Sequence, residues 1–218
     1  MIILPFLVIF FTQTLAADDR VGEALSKSPD FIWIQNSESI QIDLKYASAN
    51  NFMKENLYGS YNKCYLHREA NEKLKRAIQK LNEKKPKFKF VLFDCLRPRS
   101  IQYKLWDKVK GTSQEPYVAN PKSGSIHNYG FALDLSILDE TGKELDMGTP
   151  FDSFLPLSEP TKEEAFLKSG ELTKKQWENR ILLRNIMQDA GFIQRPNEWW
   201  HYDGFSAKTI RKNYKIIE

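Results

Sequence analysis

The stretch SGSIHNYGFALDLSI, residues 123–137, sets His127 and Asp134 on either side of a turn. From Phe131 the pattern alternates. Phe131, Leu133, Leu135 and Ile137 fall on one face of a strand, and Ala132, Asp134 and Ser136 on the other. A mid-strand carboxylate among small neighbours is costly to bury unless it is paired or bound to a metal. Gly130 can take backbone angles that other residues avoid, so His127 can fold back toward Asp134. The stretch alone is equally compatible with a histidine capping a loop and an aspartate in a surface ladder.

Upstream, Leu66, Ala70, Leu74, Ala77, Ile78 and Leu81 form a helical stripe over residues 66–84, ended by Pro86. KFKFVLFDCL (87–96) then alternates as a strand, and SIQYKLWDKV (100–109) is a short amphipathic helix. Residues 111–124 are polar and read as a loop. Downstream, LDETGKEL (138–145) reads as a hairpin turn and return. Residues 152–175 form a long polar stretch with two prolines and no clear structure, and a stretch of that length is often functional. QWENRILLRNIMQDAG (176–191) is a helix with Gly191 suited to its C-terminal cap, and FIQRPNEWWHYDGF (192–205) reads as a strand pair or irregular turn. Helices and strands mix without a βαβ rhythm, and no repeat or linker divides the chain. The expectation is a single α+β domain.

Aromatic residues make up 13% of the 218-residue chain, which argues against disorder, and the net charge is +4. Basic residues alternate with acids, as in HREANEKLKRAIQKLNEKK (67–85). That is a solvated helix face rather than the clustered surface of a nucleic-acid binder, so no nucleic-acid partner is expected. Residues 1–17, MIILPFLVIFFTQTLAA, carry no charge and end in small residues before DDR. They read as a secretory signal peptide, although no Lys or Arg precedes the apolar core, and a buried N-terminal helix is the alternative. The run is short for a membrane span, so no stable insertion is expected after its removal. The mature domain, 18–218, would then be exported, periplasmic or secreted. Cys64 and Cys95 could pair there. Nothing in the sequence brings them together, and the expectation leans to unpaired thiols.

EWWHYD (198–203) supplies a further histidine, His201, with Glu198 three positions before it. A catalytic zinc site needs three protein ligands, an open position for water, and a carboxylate base that does not bind the metal. His127, Asp134 and His201 meet the first requirement and Glu198 the last. Taken alone, EWWHYD is as well explained by aromatic core with a surface Glu and His. The remaining histidine, His67, lies among charges and is expected to face solvent.

The pattern Ser125-x-His127-x-x-Gly130-x-Ala132-x-Asp134, followed by Glu198-x-x-His201, resembles the signature of the zinc D-alanyl-D-alanine peptidases. IDLKYASANNF (42–52), FDCLRPRS (93–100) and MGTPFD (147–152) extend the resemblance to the D-alanyl-D-alanine dipeptidases within that group. The resemblance implies a hedgehog-like domain, a mostly antiparallel sheet flanked by helices with the metal site at the sheet. It implies one zinc per chain held by His127, Asp134 and His201. Glu198 would be the general base and Arg97 the group that stabilises the oxyanion. Asp152 would anchor the substrate ammonium, Ser125 would help hold its carboxylate, and Tyr46 would line the pocket. The substrate implied is the small dipeptide D-alanyl-D-alanine, and recycling of wall-derived dipeptide suits an exported enzyme. A D,D-carboxypeptidase or wall endopeptidase of the same group is the nearest alternative, and a zinc-stabilised binding module without turnover a more distant one.

Overall fold

The computed structural model describes residues 17–218. The apolar segment 1–16, the expected leader apart from Ala17, lies outside them. Helix α1 (Ala17–Lys27) leads into β1 (Phe31–Ile34), β2 (Ile40–Ile42) and β3 (Cys64–His67). Next come α2 (Arg68–Lys84), β4 (Lys89–Asp94), α3 (Arg99–Val109) and β5 (Ala132–Leu138). Helices α4 (Glu163–Ser169) and α5 (Lys174–Asp189), strands β6 (Ile193–Gln194) and β7 (His201–Asp203), and α6 (Ala207–Asn213) complete the chain.

The main sheet has the order β2-β4-β5-β7-β6, with β2 and β4 parallel and the other pairs antiparallel. Strands β1 and β3 form a separate antiparallel ribbon. The expected α+β fold with a mostly antiparallel sheet is what the chain adopts. Every residue of β5 is buried. Both of its faces are therefore covered, and Asp134 lies in the interior rather than on a surface ladder. Helix α2 buries Ala70, Leu74, Ala77 and Leu81 along one stripe and packs on α5 and β4. Thr173 and Gln176 close a reciprocal cap at the start of α5.

Three readings of the sequence are corrected. Cys64 and Cys95 form a disulfide, with Cα atoms 5.3 Å apart. The ribbon runs against the end of β4, where Leu96 N–H donates to Tyr65 O at 2.9 Å, and this long-range pairing leaves no mark on local sequence. His67 does not face solvent: it is buried, caps α2 and stacks on Phe131 at 4.3 Å. The polar stretch 152–175 is not structureless, since it contains α4, whose buried Glu163 pairs with Arg180 and Arg184. The return of the 138–145 hairpin is a single bridge, Leu138 to Glu144. No helix among the described residues is long and apolar enough to cross a membrane.

Candidate active site

Three adjacent strands and one turn deliver the site. Asp134 on β5 lies directly opposite His201 on β7, and opposite Asp94 at the irregular end of β4. His127 comes from the short helical turn Ile126–Tyr129, capped reciprocally by Ser125 and Asn128 and closed by Gly130 at φ 72°. A Cβ on Gly130 would lie 2.9 Å from Phe31 and 3.1 Å from the His67 backbone nitrogen, so only glycine lets this turn close.

His127 Nε2, Asp134 Oδ1 and His201 Nδ1 converge. The separations are 3.3 Å from His127 to Asp134, 2.9 Å from His201 to Asp134, and 3.1 Å between the imidazoles. Ligands about 2.0–2.1 Å from a tetrahedral zinc stand roughly 3.3 Å apart, so the spacing fits. The proton positions fit as well. His127 Nδ1 lies 2.7 Å from the Cys95 carbonyl, which can only accept, so this nitrogen carries the hydrogen and Nε2 presents a lone pair. His201 Nε2 lies 2.8 Å from Asp203 Oδ1 by the same logic, leaving the Nδ1 lone pair inward. Three buried acceptors facing one another call for a cation between them. Burial works against a charged His201, but Asp203 and Asp134 push its pKa up to about 10, the mark of surroundings that favour positive charge.

Around this trio lies a cavity of about 100 Å³, small against the roughly 300–1,000 Å³ of drug-sized pockets. All eight residues singled out from the sequence line it: Tyr46, Arg97, Ser125, His127, Asp134, Asp152, Glu198 and His201. Glu198, in the turn between β6 and β7, has Oε2 3.7 Å from His201 Nδ1, and burial raises its pKa. Arg97 is fixed from behind. Its Nε donates to Asp94 Oδ2 at 2.9 Å and one terminal nitrogen to the same oxygen at 2.5 Å. The other terminal nitrogen donates to Gln102 at 2.8 Å. Asp94 is fully buried and also accepts from the Tyr58 hydroxyl and the Cys95 amide.

Asp152 has left-handed backbone geometry, φ 62°, and lines the cavity. Oδ1 accepts from the Tyr46 hydroxyl at 2.8 Å, while Oδ2 is buried with no partner among the described residues. Burial pushes its pKa up to about 8. The Tyr46 ring also covers Arg97, 4.9 Å from the guanidinium carbon. Ser125 is buried at the cavity wall, its Oγ 3.4 Å from the His127 amide.

Asp94, Gln102 and Asp203 escaped the sequence reading. Asp203 had a visible signal: two positions after His201 on one strand, it shares that residue's face. Asp94 sits inside the FDCLRPRS motif, three positions before Arg97, at the end of β4 where the register shifts after Leu92.

The family model described as D-ala-D-ala dipeptidase, peptidase M15, matches residues 34–217. The D-alanyl-D-alanine dipeptidase of Escherichia coli K12 is 32% identical over 164 residues, 75% of this chain and 78% of that protein. The D-alanyl-D-alanine dipeptidase of Synechocystis is 36% identical over 87 residues, 38% of this chain and 35% of that protein. That of Enterococcus faecium is 34% identical over 87 residues, 39% of this chain and 38% of that protein. With the family model covering most of the chain, this protein belongs to the D-Ala-D-Ala dipeptidase family of M15 metallopeptidases.

Proposed function

We propose that this chain hydrolyses D-alanyl-D-alanine to two molecules of D-alanine, using one zinc ion held by His127, Asp134 and His201. The observation that carries the proposal is the pair of unmet demands in one small cavity. Three acceptors want a cation, and in the same cavity the unpartnered Asp152 Oδ2 wants a donor. When bound, zinc supplies Lewis acidity toward the scissile carbonyl and toward water.

The chain's own residues do the rest. Asp152, with Tyr46 holding its other oxygen, receives the substrate ammonium. Arg97, held rigid by Asp94 and Gln102, donates to the carbonyl oxygen as negative charge develops there. Ser125 takes the carboxylate end. Glu198 removes a proton from the attacking water and returns it to the leaving amine; its raised pKa brings it nearer the neutral range where proton exchange is efficient.

The test is hydrolysis of D-Ala-D-Ala against N-acetyl-D-Ala-D-Ala, with zinc content measured on the same preparation. An acylated amine brings Asp152 no charge to pair with and adds bulk in a small cavity, so the free dipeptide should be preferred about a hundredfold or more. Equal cleavage of both would favour the carboxypeptidase reading. We further propose that residues 1–17 are removed on export, leaving 18–218 as the catalytic domain. The Cys64–Cys95 bond supports this, because disulfides persist in oxidising compartments. Mass analysis of native protein should find a chain starting near Ala17 or Asp18, and an intact Met1 would refute removal.

A further inference from the structure

The cavity wall holds two arginines that the reaction just described does not use. Arg195 follows β6 in the same turn that carries Glu198, and its amide donates to the His201 carbonyl at 3.0 Å. Its Nε is buried and has no hydrogen-bond partner among the described residues. Arg211, in the last turn of α6, gives one bond to the Gly124 carbonyl at 3.1 Å, beside Ser125. The two buried arginines have acid partners, Arg97 with Asp94 and Arg180 with Glu163, whereas Arg195 is half-buried and Arg211 is exposed at the cavity rim. Arg195 and Arg211 have none among the described residues. A guanidinium offers five donors in a planar fork suited to carboxylates, and the buried Arg195 Nε is one that water does not reach.

The acids lining the cavity are already committed. Asp134 belongs to the metal group, Glu198 to proton transfer and Asp152 to the ammonium. A zwitterionic dipeptide brings one carboxylate, which the dipeptidase reading assigns to Ser125, next to the Gly124 carbonyl that holds Arg211. A C-terminal alanine brings no second carboxylate for Arg195, and the buried Arg195 Nε stays unsatisfied.

We propose that Arg195 and Arg211 together make the cavity selective for dipeptides whose C-terminal residue carries a second carboxylate, an acidic D-amino acid such as D-glutamate. Arg211 takes the α-carboxylate with Ser125, and Arg195 takes the side-chain carboxylate. This inference rests on the dipeptidase reading and narrows its substrate class.

The experiment compares kcat/KM of the zinc-loaded enzyme for D-Ala-D-Ala, D-Ala-D-Glu and D-Ala-D-Gln, the last matching glutamate in size without its charge. Hydrogen bonds to a charged group contribute enough that D-Ala-D-Glu should exceed D-Ala-D-Gln by about tenfold or more. The ratio should fall toward one in Arg195→Gln, be partly kept in Arg195→Lys, and shrink with added salt. Calorimetric binding of the same two dipeptides to the Glu198→Gln protein gives the ratio without turnover. That comparison stands even if the arginine variants do not fold. A glutamate-to-glutamine ratio of one or below in both assays overturns the proposal, while hydrolysis of D-Ala-D-Ala alone leaves the dipeptidase reading intact. If no dipeptide is cleaved, the dipeptidase reading falls, and the calorimetric ratio still decides the role of Arg195.

Discussion

Glu198 stands in the turn between β6 and β7, close to the His201 nitrogen that faces the metal group but outside the three converging atoms. Its removal should therefore separate catalysis from metal binding. Glu198→Gln is expected to keep its zinc, measured by elemental analysis, while kcat falls about 10²–10⁴-fold, the usual worth of a general base. Near-normal turnover in the zinc-replete variant would assign proton transfer to another group. At this scale the sequence was most legible for residues whose chemistry is unusual where it stands: an aspartate in mid-strand, a histidine before a glycine turn. Residues that hold others in place were less legible. Asp94 lies inside the FDCLRPRS motif and Gln102 in an ordinary helix, and only the fold shows that both clamp Arg97. His67 misled for a related reason, because its charged neighbours in sequence lie on the outer face of α2 while its own ring turns inward against Phe131.

Helix α2, helix α5 and strands β4 and β5 announce themselves by long periodic runs. Strand β2 has three residues and β6 has two, so neither could carry a period, and both depend on neighbours supplied by distant sequence. The β1–β3 ribbon belongs to the same class, and the Cys64–Cys95 bond depends on it. That bond ties the ribbon to the residue whose carbonyl orients His127 and whose amide holds Asp94. Its loss should act on stability and on the site together. For a bridge spanning 31 positions, Cys64→Ser with Cys95→Ser is expected to lower unfolding free energy by about 3–4 kcal/mol in denaturant titration. The folded double variant should also bind zinc more weakly, because the Cys95 segment is then free to shift under His127. Unchanged zinc affinity would confine the bond to a stabilising role.

The whole molecule places a costly group at its centre, and this should be visible in its unfolding. Three strands and a glycine-closed turn bring several carboxylates into one interior, and Asp152 has the least compensation: one hydroxyl on Oδ1 and nothing on Oδ2. Burial holds its folded pKa near 8, above the ordinary 3.8. Between those values the folded state keeps a proton that the unfolded chain has released. Native stability from this group is therefore fully present at low pH and is lost as pH rises through the window toward 8. Asparagine mimics the protonated carboxyl, cannot ionise, and tolerates the left-handed backbone at this position. In substrate-free protein, Asp152→Asn should melt at a higher temperature than the wild type at about pH 9, with the difference shrinking toward about pH 4–5 as the wild-type carboxyl regains its proton. The backbone contribution of asparagine is independent of pH, so the narrowing of the gap, rather than its size, reports the buried charge. The same variant should lose most hydrolysis of D-Ala-D-Ala, because a neutral amide no longer balances the ammonium. A melting difference that stays constant across this pH range would mean that Asp152 is already ionised and compensated in the folded protein, and that it does not wait for a cationic substrate.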